Sequence, residues 1–249
     1  MIAPSKWLGS KLFRFRSLAV ALLIGGALLC LMPQQPIQAA PVSVAQYQSE
    51  VARVQPGNGR VALTFDADWF AGRTWDILDT LHAYHAHATF FLTGHYLDTF
   101  PIHTLGIAQA GEEIASHGYD HRDYRGLSDA GIVSRLENWE ARYHSLTGRY
   151  GPAIWRAPYG YSDNRVRSAA ASAGYRTIYW TLDALDTVGP PKSSSFVFRQ
   201  LTQSWVNLDG AILLLHVNAD GTVNALPRVL ATLEARGLQV VNVSTLLGR

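Results

Sequence analysis

A chain of 249 residues, 48% hydrophobic and 16% charged, holds enough apolar material for one domain with a substantial core, and no internal repeat or low-complexity segment interrupts it. The formal net charge of +2 rests on Lys6, Lys11, Arg14 and Arg16; without those four, 17 basic residues face 19 acidic ones, which leaves no electrostatic footprint for nucleic acid. Cys30 is the only cysteine, so the body of the chain has neither disulfide nor thiol chemistry.

In chain order, residues 1–40 read as a signal peptide or an N-terminal membrane anchor. A basic start leads into the apolar run Leu18 to Met32 and then a small-residue exit around Ala39. That run is shorter than the roughly 20 residues a spanning helix needs. The expected location is therefore exported: secreted, periplasmic or in the cell envelope, with contact to a membrane only through an uncleaved leader. Leu29 stands before Cys30 where a lipoprotein signal wants a small residue, which argues against lipidation. Residues 41–58, rich in Gln, Ser, Ala and Pro, read as a linker or N-terminal arm, and residues 59–249 as one folded domain.

Within that domain short β-rich runs alternate with helical patterns. Strands are expected over Arg60–Phe65, Ala88–Leu92, Glu113–Ser116, Ala153–Arg156, Arg176–Leu182, Ala211–His216 and Leu238–Val243. Helices are expected over Thr74–Tyr84, up to about Gly111, from the N-cap Ser128 to the stop at Gly148, and over Val223–Arg236. This alternation implies an α/β fold with a mostly parallel sheet, a distorted, TIM-barrel-like (β/α) barrel of about seven units.

The polar residues then acquire positions. Asp66, Asp68, His117, His121, Arg156, Asp183 and His216 all fall at or just beyond the C-terminal end of a predicted strand, where barrels of this type build their active sites. His117 and His121 stand four apart, and two imidazoles with one carboxylate leave a coordination position for water on a hydrolytic metal. A rival cluster, His82, His85 and His87, sits at a helix end before a strand start, away from that rim, and reads as surface. A histidine closing an apolar strand, as His216 does, is often just a satisfied core residue; convergence with the metal candidates reverses that preference. Arg156 and Asp183 read either as one structural ion pair or as groups that hold catalytic side chains in their working protonation states.

The segments TFDAD (Thr64–Asp68), HGYDH (His117–His121), RAPYG (Arg156–Gly160), DALD (Asp183–Asp186) and LLH (Leu214–His216) resemble, in order, the five motifs of the polysaccharide deacetylases, the NodB-homology domain of carbohydrate esterase family 4. The resemblance spans about residues 60–245. It implies a divalent metal, commonly Zn²⁺ with Co²⁺, Mn²⁺ or Ni²⁺ as alternatives, and removal of N-acetyl or O-acetyl groups from a polysaccharide. Peptidoglycan and chitin-like polymers of N-acetylglucosamine are the leading substrates. It further implies Asp66 as general base oriented by Arg156, His216 as general acid tuned by Asp183, and His117 and His121 as metal ligands. Leu214 would line the acetyl pocket, and the Tyr159 backbone N–H would bind the oxyanion.

Two departures qualify the match. The first motif usually has adjacent aspartates, the second a metal ligand, whereas here Ala67 intervenes before Asp68. Either Asp68 supplies the ligand, as the period of a strand allows, or only two histidines bind the metal. The fourth motif usually ends in Trp, but Thr187 stands there, leaving Trp180 or Trp69 to supply an apolar wall or simply to pack in the core. Two other readings stand beside the deacetylase: a cell-wall peptide amidase, and an envelope-anchored carbohydrate-binding domain without activity, which Ala67 favours.

Overall fold

The computed structural model describes residues 47–249. The leader expected over residues 1–40 lies outside them; among the described residues no helix is long and apolar enough to cross a membrane. One parallel sheet holds β1 (Arg60–Ala67), β2 (Thr89–Leu92), β3 (Glu113–Ser116), β4 (Ile154–Trp155), β5 (Arg176–Thr177), β6 (Leu182–Asp183), β7 (Ile212–His216) and β8 (Gln239–Val241). Its order is β5-β4-β3-β2-β1-β7-β6, with β8 also paired to β1, and it curves into the expected distorted barrel with flanking helices.

β1 shows how the sequence builds the layers. Its side chains alternate: Val61, Leu63, Phe65 and Ala67 join the large outer core, while Ala62 joins Phe91, Ala115, Ile154, Ile178 and Ile212 in a separate cluster. A strand covered on both faces has to be apolar nearly throughout, and the alternation of side chains then puts Thr64 and Asp66 on the face of Ala62. The helices follow their sequence signals. Asp129–Thr147 buries Ile132, Leu136, Trp139 and Tyr143; the Ser128 hydroxyl accepts from Gly131 N at its start, and Gly148 ends it at φ 69°. The Trp139 indole donates to the Leu92 carbonyl at 2.7 Å, tying this helix to the end of β2.

Three features differ from the sequence expectation. The run Arg176–Leu182 is not one strand: it divides into β5 and β6, which do not pair with each other. The segment read as a linker or arm occupies that break. Val51 bridges Ile178, Tyr179 N donates to Val51 O at 2.8 Å, the Thr181 hydroxyl donates to Ala52 O at 2.5 Å, and Arg53 bridges Ala211. From Val51 onward the chain is thus bonded into the sheet, and a domain boundary at residue 59 would cut through it. Short helices at Asn164–Ser172 and Ser194–Leu201 were also not among the expected elements, although each has a sequence signal: Asp163 and Ser193 cap them.

Candidate active site

Asp66 and His216 are paired residues on neighbouring strands, in the register Asp66↔His216 of β1 and β7. Parallel partners project to the same side, so the carboxylate and the imidazole are neighbours because of strand register alone. Both line a cavity of about 520 Å³, together with Asp68, His117, His121, Tyr159, Trp180, Asp183, Leu214 and Thr187. Every site residue expected from the sequence except Arg156 lines this cavity directly, and Arg156 lies beneath it.

Arg156 is fully buried, an expensive place for a guanidinium unless its donors are matched. Its Nη1 donates to Asp66 Oδ1 at 2.7 Å and to the Thr64 hydroxyl at 2.8 Å, its Nη2 donates to Tyr179 O at 3.2 Å, its Nε is buried without a partner, and the group lies over the Phe91 ring at 4.2 Å. Burial pushes the Asp66 carboxyl up, but the charge of Arg156 foremost, with His117 and His216 adding to it where they are protonated, outweighs it and holds Asp66 below the ordinary carboxylate value. Arg156 therefore keeps Asp66 ionised and oriented.

His117 Nδ1 lies 2.9 Å from the Arg156 carbonyl. A carbonyl only accepts, so Nδ1 carries the hydrogen, and the Nε2 lone pair is left free, 3.6 Å from Asp66 Oδ2. Burial, opposed by the Asp66 charge, lowers the His117 pKa to about 4, so the ring is neutral at pH 7. His121, its ring 5.1 Å from that of His117, is also lowered by burial, against the opposing charges of Asp68 and Asp66. Two neutral imidazoles side by side form the donor set that a borderline metal selects.

Asp68 faces the same cavity. Ala67 packs into the outer core, while Asp68 lines the cavity as Asp66 does, which is the arrangement the strand period implied. Thr93 supports the carboxylate: its hydroxyl donates to Asp68 Oδ1 at 2.6 Å and its N–H donates to Ala67 O at 3.1 Å. Asp68 Oδ2 is buried without a hydrogen-bond partner, as is Nδ1 of His95, which lies 4.0 Å from Asp68 Oδ1. An orphaned carboxylate oxygen in a cavity with two neutral imidazoles fits a cation, although no three His, Cys, Asp or Glu among the described residues already stand in metal-holding geometry.

The sequence expectation is corrected at the partner of His216. Asp186, not Asp183, holds the ring: its Oδ1 lies 2.8 Å from Nδ1, and its Oδ2 accepts from His216 N at 2.9 Å and from the Thr222 hydroxyl. Burial opposes a charge on His216, but the hydrogen bond and charge of Asp186, with Asp66 and Asp183 behind it, raise its pKa above the ordinary value. Asp183 accepts from Leu185 N at 2.7 Å and is itself raised, chiefly by burial. The spacing of DALD could not show which acid turns inward. Between the two acids Leu185 takes φ 52°, a left-handed conformation that spacing does not record.

Tyr159 has φ 60°, an uncommon conformation for a non-glycine residue, and its hydroxyl donates to His121 O at 3.2 Å. The next residue must be glycine: a Cβ at Gly160 would come within 2.6 Å of the Tyr179 ring and 2.7 Å of the Trp180 ring. Trp180 is half-buried, stacked on Tyr179 at 3.9 Å and lining the cavity, so it serves packing and wall together. Of the rival histidines, His82, His85 and His87 line a separate groove with Trp75, Ile102 and Glu112, and His87 is bound to Glu112 at 3.3 Å. Thr93, His95, Phe70 and Tyr161 were not foreseen; nothing in their spacing marks them.

A paired carboxylate beside a paired imidazole, with two neutral histidines between, is the equipment of an acid–base hydrolase at the rim of a parallel barrel. The comparisons with known proteins narrow that class. The polysaccharide deacetylase family model matches residues 53–178, and the chain belongs to that family, carbohydrate esterase family 4. It is 31% identical to a chitin deacetylase of Pestalotiopsis sp over 93% of this chain and 76% of that one. It is 29% identical to a peptidoglycan-N-acetylglucosamine deacetylase of Bacillus cereus over 77% of this chain and 90% of that one. Among solved structures it superposes with a TM-score of 0.75 and 26% identity on a CE4 family pseudoenzyme, BA3943 of Bacillus anthracis, covering 80% of this chain and 69% of that one.

Proposed function

We propose that this chain acts outside the cytoplasm as a metal-dependent deacetylase that removes N-acetyl groups from an amino-sugar polysaccharide, peptidoglycan or a chitin-like polymer of N-acetylglucosamine. The observation that carries the reading is the register pair Asp66 and His216, each with its own buried counter-charge, facing one cavity with His117 and His121. The names of the two relatives support the substrate class.

Amides resist hydrolysis, so water must be deprotonated, the tetrahedral oxyanion stabilised and the leaving amine protonated. His117, His121 and Asp68 would hold a divalent cation, which supplies Lewis acidity to the acetyl carbonyl and lowers the pKa of water. Asp66, kept ionised by Arg156, accepts the proton of the attacking water on a carboxylate oxygen. His216, kept protonated by Asp186, delivers a proton to the departing nitrogen. The left-handed turn at Tyr159 offers a backbone N–H for the oxyanion, worth about 3 kcal/mol in comparable sites, and Leu214 packs against the acetyl methyl.

Acetate release from N-acetylglucosamine oligomers and from peptidoglycan, assayed with and without chelator, tests the proposal. Release that stops with chelator and returns with Zn²⁺ is the expected result; no release from any amino-sugar polymer with metal restored refutes it. A second reading, a glycan-binding domain without activity, is favoured by Ala67 in the first motif and by the similarity to a pseudoenzyme, a mutant of which is described as having restored enzymatic activity. Metal content separates the two: the Asp68→Ala protein should lose its metal and Asp66→Asn should keep it. A purified parent protein that binds glycan but takes up no metal selects the inactive reading.

A further inference from the structure

Beside the catalytic cavity two large apolar side chains face solvent: Trp69 is 62% exposed and Phe70 63% exposed. Exposed aromatic pairs of this size at the mouth of a site mark a binding surface more often than a surface accident. Both line the same cavity as Asp66 and His216.

The segment that carries them is fixed in place. Before it, Asp68 is held by Thr93 at 2.6 Å. After it, Arg73 N donates to Val217 O at 2.9 Å, and the Thr74 hydroxyl donates to Ala71 O at 2.5 Å. Gly72, at φ +56°, passes so close to β7's end that a Cβ there would stand 2.1 Å from Val217 O. The Trp69 ring rests against the His95 ring at 4.8 Å. A rigid backbone presenting exposed rings has already met the ordering cost that a binding surface would otherwise incur on contact.

The rest of the rim is similar in character. Tyr159 and Tyr161 are 55% and 46% exposed, the Arg125 guanidinium lies over the Tyr161 ring at 4.1 Å, and Thr187, Val188 and Asn218 add uncharged side chains to the mouth. Rings with apolar faces and uncharged polar groups between them match a pyranose, whose C–H faces stack on aromatics while its hydroxyls hydrogen-bond at the edges.

From these observations we infer that Trp69 and Phe70 form a stacking subsite for the sugar residue adjoining the one whose acetyl group enters the cavity, so that the protein recognises a glycan chain of two or more units and not a monosaccharide. This inference rests on the deacetylase reading for the identity of the sugar.

The test is calorimetric titration of the Asp66→Asn protein with N-acetylglucosamine and its β-1,4-linked dimer and tetramer, with and without Trp69→Ala and Phe70→Ala. The parent should bind the tetramer at least tenfold more tightly than the monomer, and the double variant should lose that preference while Trp69→Phe keeps most of it. Unchanged thermal unfolding of the variants, expected for exposed side chains, separates lost binding from lost folding. Equal tetramer affinity in the parent and double variant overturns the subsite, as does binding of a sugar-free cell-wall stem peptide in place of the oligomers. Intact, Trp69-dependent tetramer binding by a wild-type protein that releases no acetate would refute the deacetylase reading and leave the subsite standing.

Discussion

Asp186 does for His216 what Arg156 does for Asp66: each of these cavity-lining groups leans on a buried opposite charge that orients it and biases its protonation state. The consequence for pH has a definite sign. A raised folded-state pKa means that His216 stays protonated to a higher pH than a free imidazole, and that the stability this pair contributes is complete below about 6.5 and lost as pH rises through the folded value. In Asp186→Asn the basic limb of the kcat profile should therefore move to lower pH, with activity at pH 8 falling by about 10²-fold or more. Asp183→Asn should move it far less. Equal shifts from the two substitutions, measured as kcat against pH from 5 to 9, would restore Asp183 to the role that the sequence suggested. Thr93 permits a second test at this scale. Removing the hydrogen bond that orients a ligating carboxylate typically costs 10–100-fold in metal affinity. Thr93→Val should show that loss in a Zn²⁺ competition titration, whereas Thr93→Ser should remain close to the parent. The residues that the sequence revealed are those whose position follows from strand ends: Asp66, His117, Arg156 and His216. Those it concealed, Asp186, Thr93 and His95, depend on a left-handed turn and on contacts between segments 25 or more residues apart, which no local period records.

At the scale of elements, the loop from β1 to helix Thr74–Ala83 is the part most tightly coupled to the site, because it carries Asp68, Trp69 and Phe70 and is clamped against the end of β7. Gly72→Ala places a methyl where Val217 O stands, in a backbone conformation that disfavours a side chain. The expected outcome is a stability loss of about 1–3 kcal/mol by denaturant unfolding, together with weaker metal binding as Asp68 shifts; Gly111→Ala, at φ 82° but with open space around it, should lower stability without touching the metal. Helix Asp129–Thr147 makes a simpler case. Ser128→Ala removes its N-cap and should cost about 1 kcal/mol with no change in kcat. Long periodic elements of this kind were legible in the sequence, caps included. The two-residue strands β4, β5 and β6 were less so, since strands that short owe their pairing to their neighbours and carry almost no pattern of their own.

For the molecule as a whole, the barrel is closed in part by backbone that precedes its first strand. Val51 and Ala52 accept from Tyr179 and Thr181 and so cover the break between β5 and β6, directly under the tryptophan and the acids of the cavity wall. Val51 is itself buried in the inner cluster with Ile178 and Ile212. Composition alone made this stretch look like a tether, because a strand bridge of one or two residues leaves no trace in a Gln- and Ser-rich sequence. Expression from residue 59 onward should therefore give a protein with a lower unfolding temperature and little turnover, whereas expression from residue 47 should match the intact domain; calorimetric Tm and acetate release on the two proteins decide it.

The same clasp makes the fold divisible. A synthetic peptide of residues 47–58, added to the protein that begins at 59, has a ready groove of unsatisfied Tyr179, Thr181 and Gly210 backbone and side-chain groups to fill, as those groups bond Val51, Ala52 and Val54 in the intact chain. Turnover would then rise and saturate with peptide concentration, and the dissociation constant read from that curve would measure how strongly the seam holds.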